Sequence, residues 1–423
     1  MEYLSWSKTP SVPVLSRKGG WRITRDVWLA GAWERRLVAA LVEKYFDFKL
    51  DLERELLIFH RAPSWSSHVD YAFEFHASAL RLGVAYYDLR EGWVLSPTGA
   101  LGSLLESLGA PACELEPSRH VKGKYVALPP DCPLKARMVL VRMGRHVGVG
   151  RRVNGGLGRV KIKDVAPRGF RMLPPGRIED LVELNREVVE DKAGEAKGFI
   201  KRVYGSVQKS RKIPVSFSGG ADSTAVLSLA VEALGAEKVL AVYSDTGLEF
   251  PESLKYAEEV ASKLGVELVV LKPSVDVLSL VGEKGLMSVE DRWCTRILKL
   301  EPLKKFYRGS GVAVYLDGAR DYESFNRART PRIGYNPLIP GVKRALPIKD
   351  WTRLLVQIYL YSRGVRLNPL YDQGFTRIGC VACPAMHLYE LHLSYSRHKM
   401  VHEELIKASG VERSSYLRLE WGR

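Results

Sequence analysis

Ser218-Gly219-Gly220-Ala221-Asp222-Ser223-Thr224 joins an apolar run at 213–217 to an apolar helical stretch at 225–234. The run is short and bounded by turn residues, as a buried strand is, and the stretch after it has helical length. Gly219 and Gly220 let backbone N–H groups approach an anion that a side chain would hold off. The helix that follows offers unpaired N–H groups and the positive end of its dipole. Ser218, Ser223 and Thr224 add hydroxyl donors. No GxxxxGK[ST] occurs in the sequence, so the loop is not a Walker-type P-loop. Apolar runs at 238–243, 267–271 and 312–317 read as further strands, with a helix at 252–264. Strands separated by helices predict an α/β domain, a parallel sheet with helices on both faces, whose ligand sits beyond the carboxyl ends of the strands. A second signature, Asp245-Thr-Gly-Leu-Glu-Phe-Pro-Glu252, follows the strand at 238–243.

Together the loop and this signature resemble the PP-loop ATP pyrophosphatase superfamily, in its phosphoadenosine phosphosulfate (PAPS) reductase-like branch. Gly318-Ala-Arg-Asp-Tyr-Glu-Ser324 with Arg327, Leu346-Pro-Ile-Lys-Asp-Trp351, and Asn368-Pro-Leu-Tyr-Asp372 with Arg377-Ile-Gly-Cys-Val-Ala-Cys-Pro384 extend the likeness in the branch's order. The resemblance implies that Ser218, Gly219, Gly220, Asp222, Ser223 and Thr224 hold nucleotide phosphates. It puts Asp245 and Gly247 near the adenosine or a metal, and Arg320 and Arg327 on phosphate or sulfate, a role that suits the guanidinium fork. Asp222, Ser223 and Arg320 are the expected catalytic residues, and ATP with Mg²⁺ the expected cofactor. Glu323 either meets ligand or orients Arg320 through an ion pair. Asp350 and Trp351 are expected to cap and pack a helix over 351–362.

Cys380-Val-Ala-Cys383 and the distant Cys294 are a reasonable ligand set for zinc or an iron–sulfur cluster, although CxxC also serves as a redox dithiol. Arg292, Arg296, Lys299 and Arg377 would favour thiolate there. Cluster-bearing members of the branch pair an upstream Cys-Cys with the downstream CxxC, whereas here Trp293 stands beside Cys294. The resemblance therefore implies a [4Fe–4S] cluster on three cysteines with one iron open, as in PP-loop RNA thiolases. Zinc is the alternative, with His387 or solvent as fourth ligand. Sulfonucleotide reductases of the branch attack sulfate with a cysteine in a C-terminal Glu-Cys-Gly-x-His element, and no cysteine follows Cys383. Their nucleophile is thus not expected. His387, His392, His398 and His402 are expected on a surface or RNA-facing helix.

The charge is uneven. The 423 residues carry a net +16, and fourteen Lys and Arg against two acidic residues lie between Ser118 and Pro175. Short β-type runs at 124–128, 138–141, 147–149 and 160–162 alternate there with turns at Pro129-Pro130 and Asn154-Gly155-Gly156, which predicts a compact basic β-barrel. A basic barrel suits a phosphate backbone, because Lys and Arg release counterions on binding. The centre of this segment, Met138-Val-Leu-Val-Arg-Met-Gly-Arg-His-Val-Gly-Val-Gly-Arg151, resembles a PUA domain, which implies structured RNA. Arg137, Arg142, Arg145, Arg151 and Arg152 are the expected RNA contacts. The first hundred residues show helical spacing at 27–45 and strands at 56–60 and 80–87. His60, His68 and His76 read as structural or surface residues. Trp6-Ser-Lys-Thr-Pro-Ser-Val-Pro13 resembles a zinc-ribbon start without cysteines, so no zinc is expected there.

The domains expected are an α+β region at 1–117, a PUA-like barrel at 118–175, a helical connector at 176–211 and a PP-loop domain at 212–423. Hydrophobic content of 46% and charged content of 26% exclude a disordered or fibrous chain. The sequence shows no membrane-spanning run and no leader pattern, so a cytoplasmic location is expected. Five Asn and three Gln beside abundant Lys, Arg and Glu suggest a thermophile. In such an organism Cys113 and Cys132 could be bridged inside the cell. The reading that uses all these features is an ATP-dependent RNA-modifying enzyme, a tRNA sulfurtransferase fed by an unknown sulfur donor. The alternatives are a PAPS or adenosine phosphosulfate reductase and a non-catalytic RNA-binding protein.

Overall fold

The structure, a computed structural model, describes residues 2–116, 121–130, 132, 136–153, 158–207, 212–336 and 338–420. Arg119, Asp131, Lys135 and the turn at 154–156 lie outside them. The chain divides into two compact units, Met1–Leu184 and Asn185–Arg423. Among the described residues no helix is long and apolar enough to cross a membrane.

The first unit contains three sheets. Strands β1 (Tyr3–Trp6), β2 (Pro13–Ser16) and β3 (Trp21–Arg22) pair in the order β2-β1-β3. A five-stranded antiparallel meander follows, β4 (Val27–Leu29), β5 (Ile58–Arg61), β6 (Val69–Ala77), β7 (Leu80–Asp88) and β8 (Gly92–Pro97), with α1 (Ala32–Phe46) after its first strand. The helix expected over 27–45 is thus shorter. Val27, Trp28 and Leu29 are all buried and pair with β5, and Gly31 caps a helix that starts only at Ala32. His60 and His76, with ring centroids 4.9 Å apart, are half-buried and buried on this sheet, so their role is packing.

The basic segment forms the third sheet. Strands β9 (Ala112–Glu114), β10 (Tyr125–Ala127), β11 (Met138–Met143), β12 (His146–Arg152) and β13 (Arg159–Pro167) pair in the order β10-β13-β12-β11-β9, with β10 and β9 at its edges. Strand β9 lies upstream of the expected boundary at 117/118 and runs parallel to β11. Helix α2 (Gly99–Ser107) packs on the same sheet so closely that a Cβ on Gly99 would lie 2.4 Å from the Val165 carbonyl carbon. The sheet therefore recruits about twenty residues that texture alone assigned to the preceding region. Cys113 and Cys132 are disulfide-bonded, their Cα atoms 5.5 Å apart, beside the core of Val139, Val141 and Ile162. Closing a loop of this size is worth about 3 kcal/mol. Cys132→Ser is expected to lower the stability of this unit by that amount in oxidising buffer and to change nothing under reductant, as urea titration would report. Helix α3 (Ile178–Leu184) ends the unit.

The second unit opens with α4 (Arg186–Val207) and then alternates strand and helix: β14 (Ile213–Ser216), α5 (Ala221–Leu234), β15 (Val239–Ser244), α6 (Pro251–Leu264), β16 (Glu267–Leu271), α7 (Val277–Lys284), α8 (Glu301–Ser310) and β17 (Val314–Leu316). Short elements follow: α9 (Phe325–Ala328), β18 (Ile333–Tyr335), β19 (Lys343–Ala345) and α10 (Arg353–Ser362), then α11 (Leu388–Arg397), α12 (Lys399–Ser409) and α13 (Arg413–Leu417). The sheet order is β16-β15-β14-β17-β19-β18, parallel except for β18 against β19. This is the expected α/β fold. Strand order runs from β14 through β15 on one side and through β17 on the other, so a crevice opens beyond the carboxyl ends of β14 and β17. Helix α5 is buried on most faces, as its apolar run demands. Helix α6 begins at Pro251, whose missing N–H costs nothing at a first turn, and stops at Gly265 with φ +66°.

Side chains from α4 and α10 clamp the base of α5. Glu232 accepts from Tyr359 Oη at 2.8 Å, Arg363 Nε at 2.8 Å and Lys197 Nζ at 2.9 Å. Burial opposes its charge, but these donors overcome it and hold the carboxyl down to about 2. A depressed carboxyl contributes stability above its ordinary value near 4.5 that is lost as pH falls toward 2. Glu232→Gln is expected to lower this unit's stability most at neutral pH and least near pH 2, which flattens the acid limb between those values. Thermal unfolding at graded pH tests this.

Candidate functional site

The loop after β14 is fixed from several directions. Helix α5 starts at Ala221 rather than Ala225, with Gly220 as its extended N-cap, so Asp222 and Ser223 belong to its first turn. Gly219 has φ +73°, and a Cβ there would lie 3.0 Å from the Ser253 carbonyl at the start of α6. Ser223 Oγ donates to the Gly220 carbonyl at 3.0 Å and accepts the Ser218 N–H at 3.2 Å. Thr224 is fully buried and its hydroxyl donates to the same carbonyl at 2.8 Å, so this side chain braces the loop from behind instead of facing a ligand. Asn368 Nδ2 donates to the Gly219 carbonyl at 3.1 Å, and Tyr371 Oη accepts the Ala221 N–H at 3.1 Å. Both clamps belong to the segment 368–372, and nothing in its spacing points to the loop.

Ser218, Gly220, Ala221, Asp222 and Ser223 line a cavity of about 400 Å³. Cys294, Cys380 and Cys383 line it too, with Arg292, Lys299 and Arg377. The expected phosphate loop and the three free thiols thus share one cavity. Arg296 stays outside, bonded to Asp291 at 2.7 Å on the surface.

The two arginines separate. Arg327 reaches the cavity and pairs with Glu323, which also accepts the Arg320 backbone N–H at 2.8 Å. Arg320 is only 3% exposed, and its Nε donates to Asp222 Oδ1 at 2.8 Å. It does not line the cavity, so the expected phosphate contact is replaced by a buried ion pair. Two residues before Arg320, Gly318 comes so near the Asp222–Ser223 peptide that a Cβ would sit 2.9 Å from its atoms.

The second signature also differs in detail. Asp245 Oδ1 accepts the Gly247 N–H at 2.9 Å, and Gly247 takes φ +85°. Neither faces the cavity; Thr246, Leu248 and Glu249 do. Glu249 holds Thr246 through its N–H at 2.7 Å and its hydroxyl at 2.6 Å, and burial pushes its carboxyl up. The Val381 N–H donates to the Leu248 carbonyl at 2.7 Å and Glu249 bridges Cys380, which sews this loop to the CxxC loop.

Cys383 is held below the ordinary thiol range, first by a hydrogen bond from Cys380 and then by Arg377, whose Nη2 donates to its sulfur at 2.9 Å. Cys380 is pushed up as the donor of that pair, and burial pushes Cys294 up. Cys294 precedes a π-helical turn, Thr295–Leu300, the kind of local widening that recurs at functional sites. Among the described residues no three His, Cys, Asp or Glu side chains are gathered at metal-ligand spacing. Three soft sulfur donors with cations around them nevertheless have the chemistry that suits zinc or an iron–sulfur cluster.

Other expectations change. Asp350 pairs with Lys192, and Thr352 caps α10 by accepting the Leu355 N–H at 3.2 Å; Trp351 packs edge-on to Tyr359 as expected. The C-terminal histidines do not share a surface helix. His387 caps α11, His398 separates α11 from α12, and His402 is fully buried between Ser394 Oγ at 2.9 Å and Tyr416 Oη at 2.6 Å. Burial lowers His402 to about 4, so it is a neutral core residue.

In the first unit, Arg137, Arg151 and Arg152 line a smaller cavity of about 280 Å³ with Tyr45 and Glu91, and Arg145 is exposed. Arg142 is already engaged, donating to Glu106 at 2.8 Å and Glu114 at 3.2 Å, because α2 and β9 bring both carboxylates to it.

Residues 212–386 match the phosphoadenosine phosphosulfate reductase domain. An uncharacterized protein of Methanocaldococcus jannaschii is 30% identical over 372 residues, 84% of this chain and 86% of its own. A second uncharacterized protein of that organism is 41% identical over 228 residues, 52% of this chain; the match spans only 47% of that relative's length. The adenosine 5'-phosphosulfate reductase of Rhizobium tropici is 34% identical over 144 residues, 33% of this chain and 78% of its own. With the loop, the second signature and the terminal block drawn together on one α/β sheet, the chain belongs to the phosphoadenosine phosphosulfate reductase domain family.

Proposed function

We propose that the chain is an ATP-dependent RNA-modifying enzyme, a tRNA sulfurtransferase that adenylates a base carbonyl and replaces its oxygen with sulfur. The observation that carries this reading is the single cavity holding both the phosphate loop and three free thiols. Ser218, Gly220 and the first turn of α5 hold the triphosphate, with Mg²⁺ neutralising its charge. The base carbonyl oxygen attacks the α-phosphorus, the bond to the bridging oxygen breaks, and pyrophosphate leaves. A hydrosulfide from the donor then adds at the activated carbon, and AMP departs with the original oxygen. No net oxidation occurs. Lys299 and Arg327, on the wall, oppose the charge that develops on phosphate. Cys294, Cys380 and Cys383 would hold a [4Fe–4S] cluster, with zinc as the alternative. Bound there, a cluster supplies an iron site with affinity for sulfide. The exposed arginines of the basic sheet hold the RNA.

Labelled ATP and bulk tRNA should yield RNA-dependent AMP and pyrophosphate with the full chain. ATP turnover indifferent to RNA would overturn the reading. Anaerobic purification with a visible spectrum and metal analysis distinguishes cluster from zinc. A second reading, reduction of a sulfonucleotide, is favoured by the family itself and by the identity to an adenosine 5'-phosphosulfate reductase. It requires sulfite release from PAPS or its adenylyl analogue with a thiol reductant.

A further inference from the structure

The second unit carries a segment that neither the phosphate loop nor the thiols use. From Phe325 to Ala345 the sequence holds five basic residues and no acidic one. Along this stretch four large apolar side chains stand in solvent: Phe325 at 77% exposed, Tyr335 at 67%, Leu338 at 52% and Ile333 at 43%. A soluble domain usually buries such groups, and a run of them marks an interaction surface. Two are rings with a cation over the face. The Arg329 guanidinium lies 5.6 Å from the Phe325 centroid, and Lys343, directly across the β18–β19 ladder, lies 5.4 Å from that of Tyr335. In sequence Phe325 lies between Glu323 and Arg327, both of which line the cavity. Strand β18 is the edge of the sheet.

We propose that Phe325 and Tyr335 are stacking platforms for the bases of a single-stranded RNA segment lying along residues 325–345. This rests on the proposed RNA-modifying function and adds the part of the substrate that this surface takes. Exposed rings offer a face that any base can stack upon, and the flanking cations meet the phosphates on either side. A protein partner would find no carboxylate among residues 325–345 to answer its own basic groups. The expected ligand is an unpaired loop or end, because a base inside a duplex exposes no face to stack on.

The test uses the full chain and a fluorescent twelve-nucleotide single-stranded RNA, read by anisotropy. Phe325→Ala with Tyr335→Ala should weaken binding about tenfold or more without altering the slope of affinity against salt, since no phosphate contact is removed. Phe325→Trp should keep the affinity and show fluorescence quenching as RNA is added. Both rings are exposed, so near-ultraviolet circular dichroism should be unchanged and should exclude misfolding. Equal affinity in the double variant, or an unquenched tryptophan, overturns the platform while leaving the function standing. Loss of self-association in the variant with RNA affinity intact overturns it in favour of a contact between copies. Absence of RNA binding in the unaltered chain overturns the function and the platform together.

Discussion

Asp222→Ala is expected to destabilise the second unit by about 3 kcal/mol, seen as an earlier urea transition, before any effect on turnover is considered. Arg320 is buried and donates from Nε to Asp222, so truncating the carboxylate strands a guanidinium charge away from water. The companion variant, Asp222→Ala with Arg320→Met, removes the charge along with its partner and should recover most of the loss. A loss below about 1 kcal/mol in the single variant would show that the pair is not the buried lock described here. The result matters for assigning chemistry. Asp222 lines the cavity and also holds the fold, so an inactive Asp222 variant says little about catalysis until its stability has been measured.

Gly318→Ala should cut ATP-dependent turnover about a hundredfold while the protein stays folded. The added Cβ would fall 2.9 Å from the Asp222 carbonyl carbon and the Ser223 nitrogen, which are backbone atoms that cannot swing aside. The loop must then shift by several tenths of an ångström, and displacements on the scale of an ångström at a reacting centre cost about that factor. Overpacking of this kind costs about 1–3 kcal/mol in stability. Pyrophosphate exchange and thermal unfolding on the same sample separate the two effects. Unchanged exchange would mean that the loop tolerates displacement and does not position the reacting phosphate.

The parts of this architecture that were legible in the sequence are those written in local chemistry. The runs that became β14, β15 and β16 are short, apolar and bounded by glycine or charged residues, and Pro251 with Gly265 marks both ends of α6. The glycines of the phosphate loop were legible because their function is to lack a side chain. The start of α5 was not, since Asp222, Ser223 and Thr224 read as loop residues until Gly220 is seen to cap the helix. Strands β18 and β19, three residues each, are too short to show any period. Arg320 and Arg327 belong to one motif, and its spacing does not say which of them is buried against Asp222. Tyr371 and Asn368 act on backbone 149 or more residues away, a separation over which spacing carries no information. His402 looked like a surface residue because Ser394 and Tyr416, its partners, come from neighbouring helices.

The hydrogen bond from Val381 to Leu248 has a consequence for how such a chain can diverge. Two loops joined backbone to backbone share a register, so one inserted residue in either would slide Cys380 along Glu249 and carry the thiols away from the rest of the wall. Substitutions can accumulate there, but changes of length cannot, unless both loops change in step. Homologues that lengthen one of these loops alone should have given up either the thiols or the nucleotide chemistry.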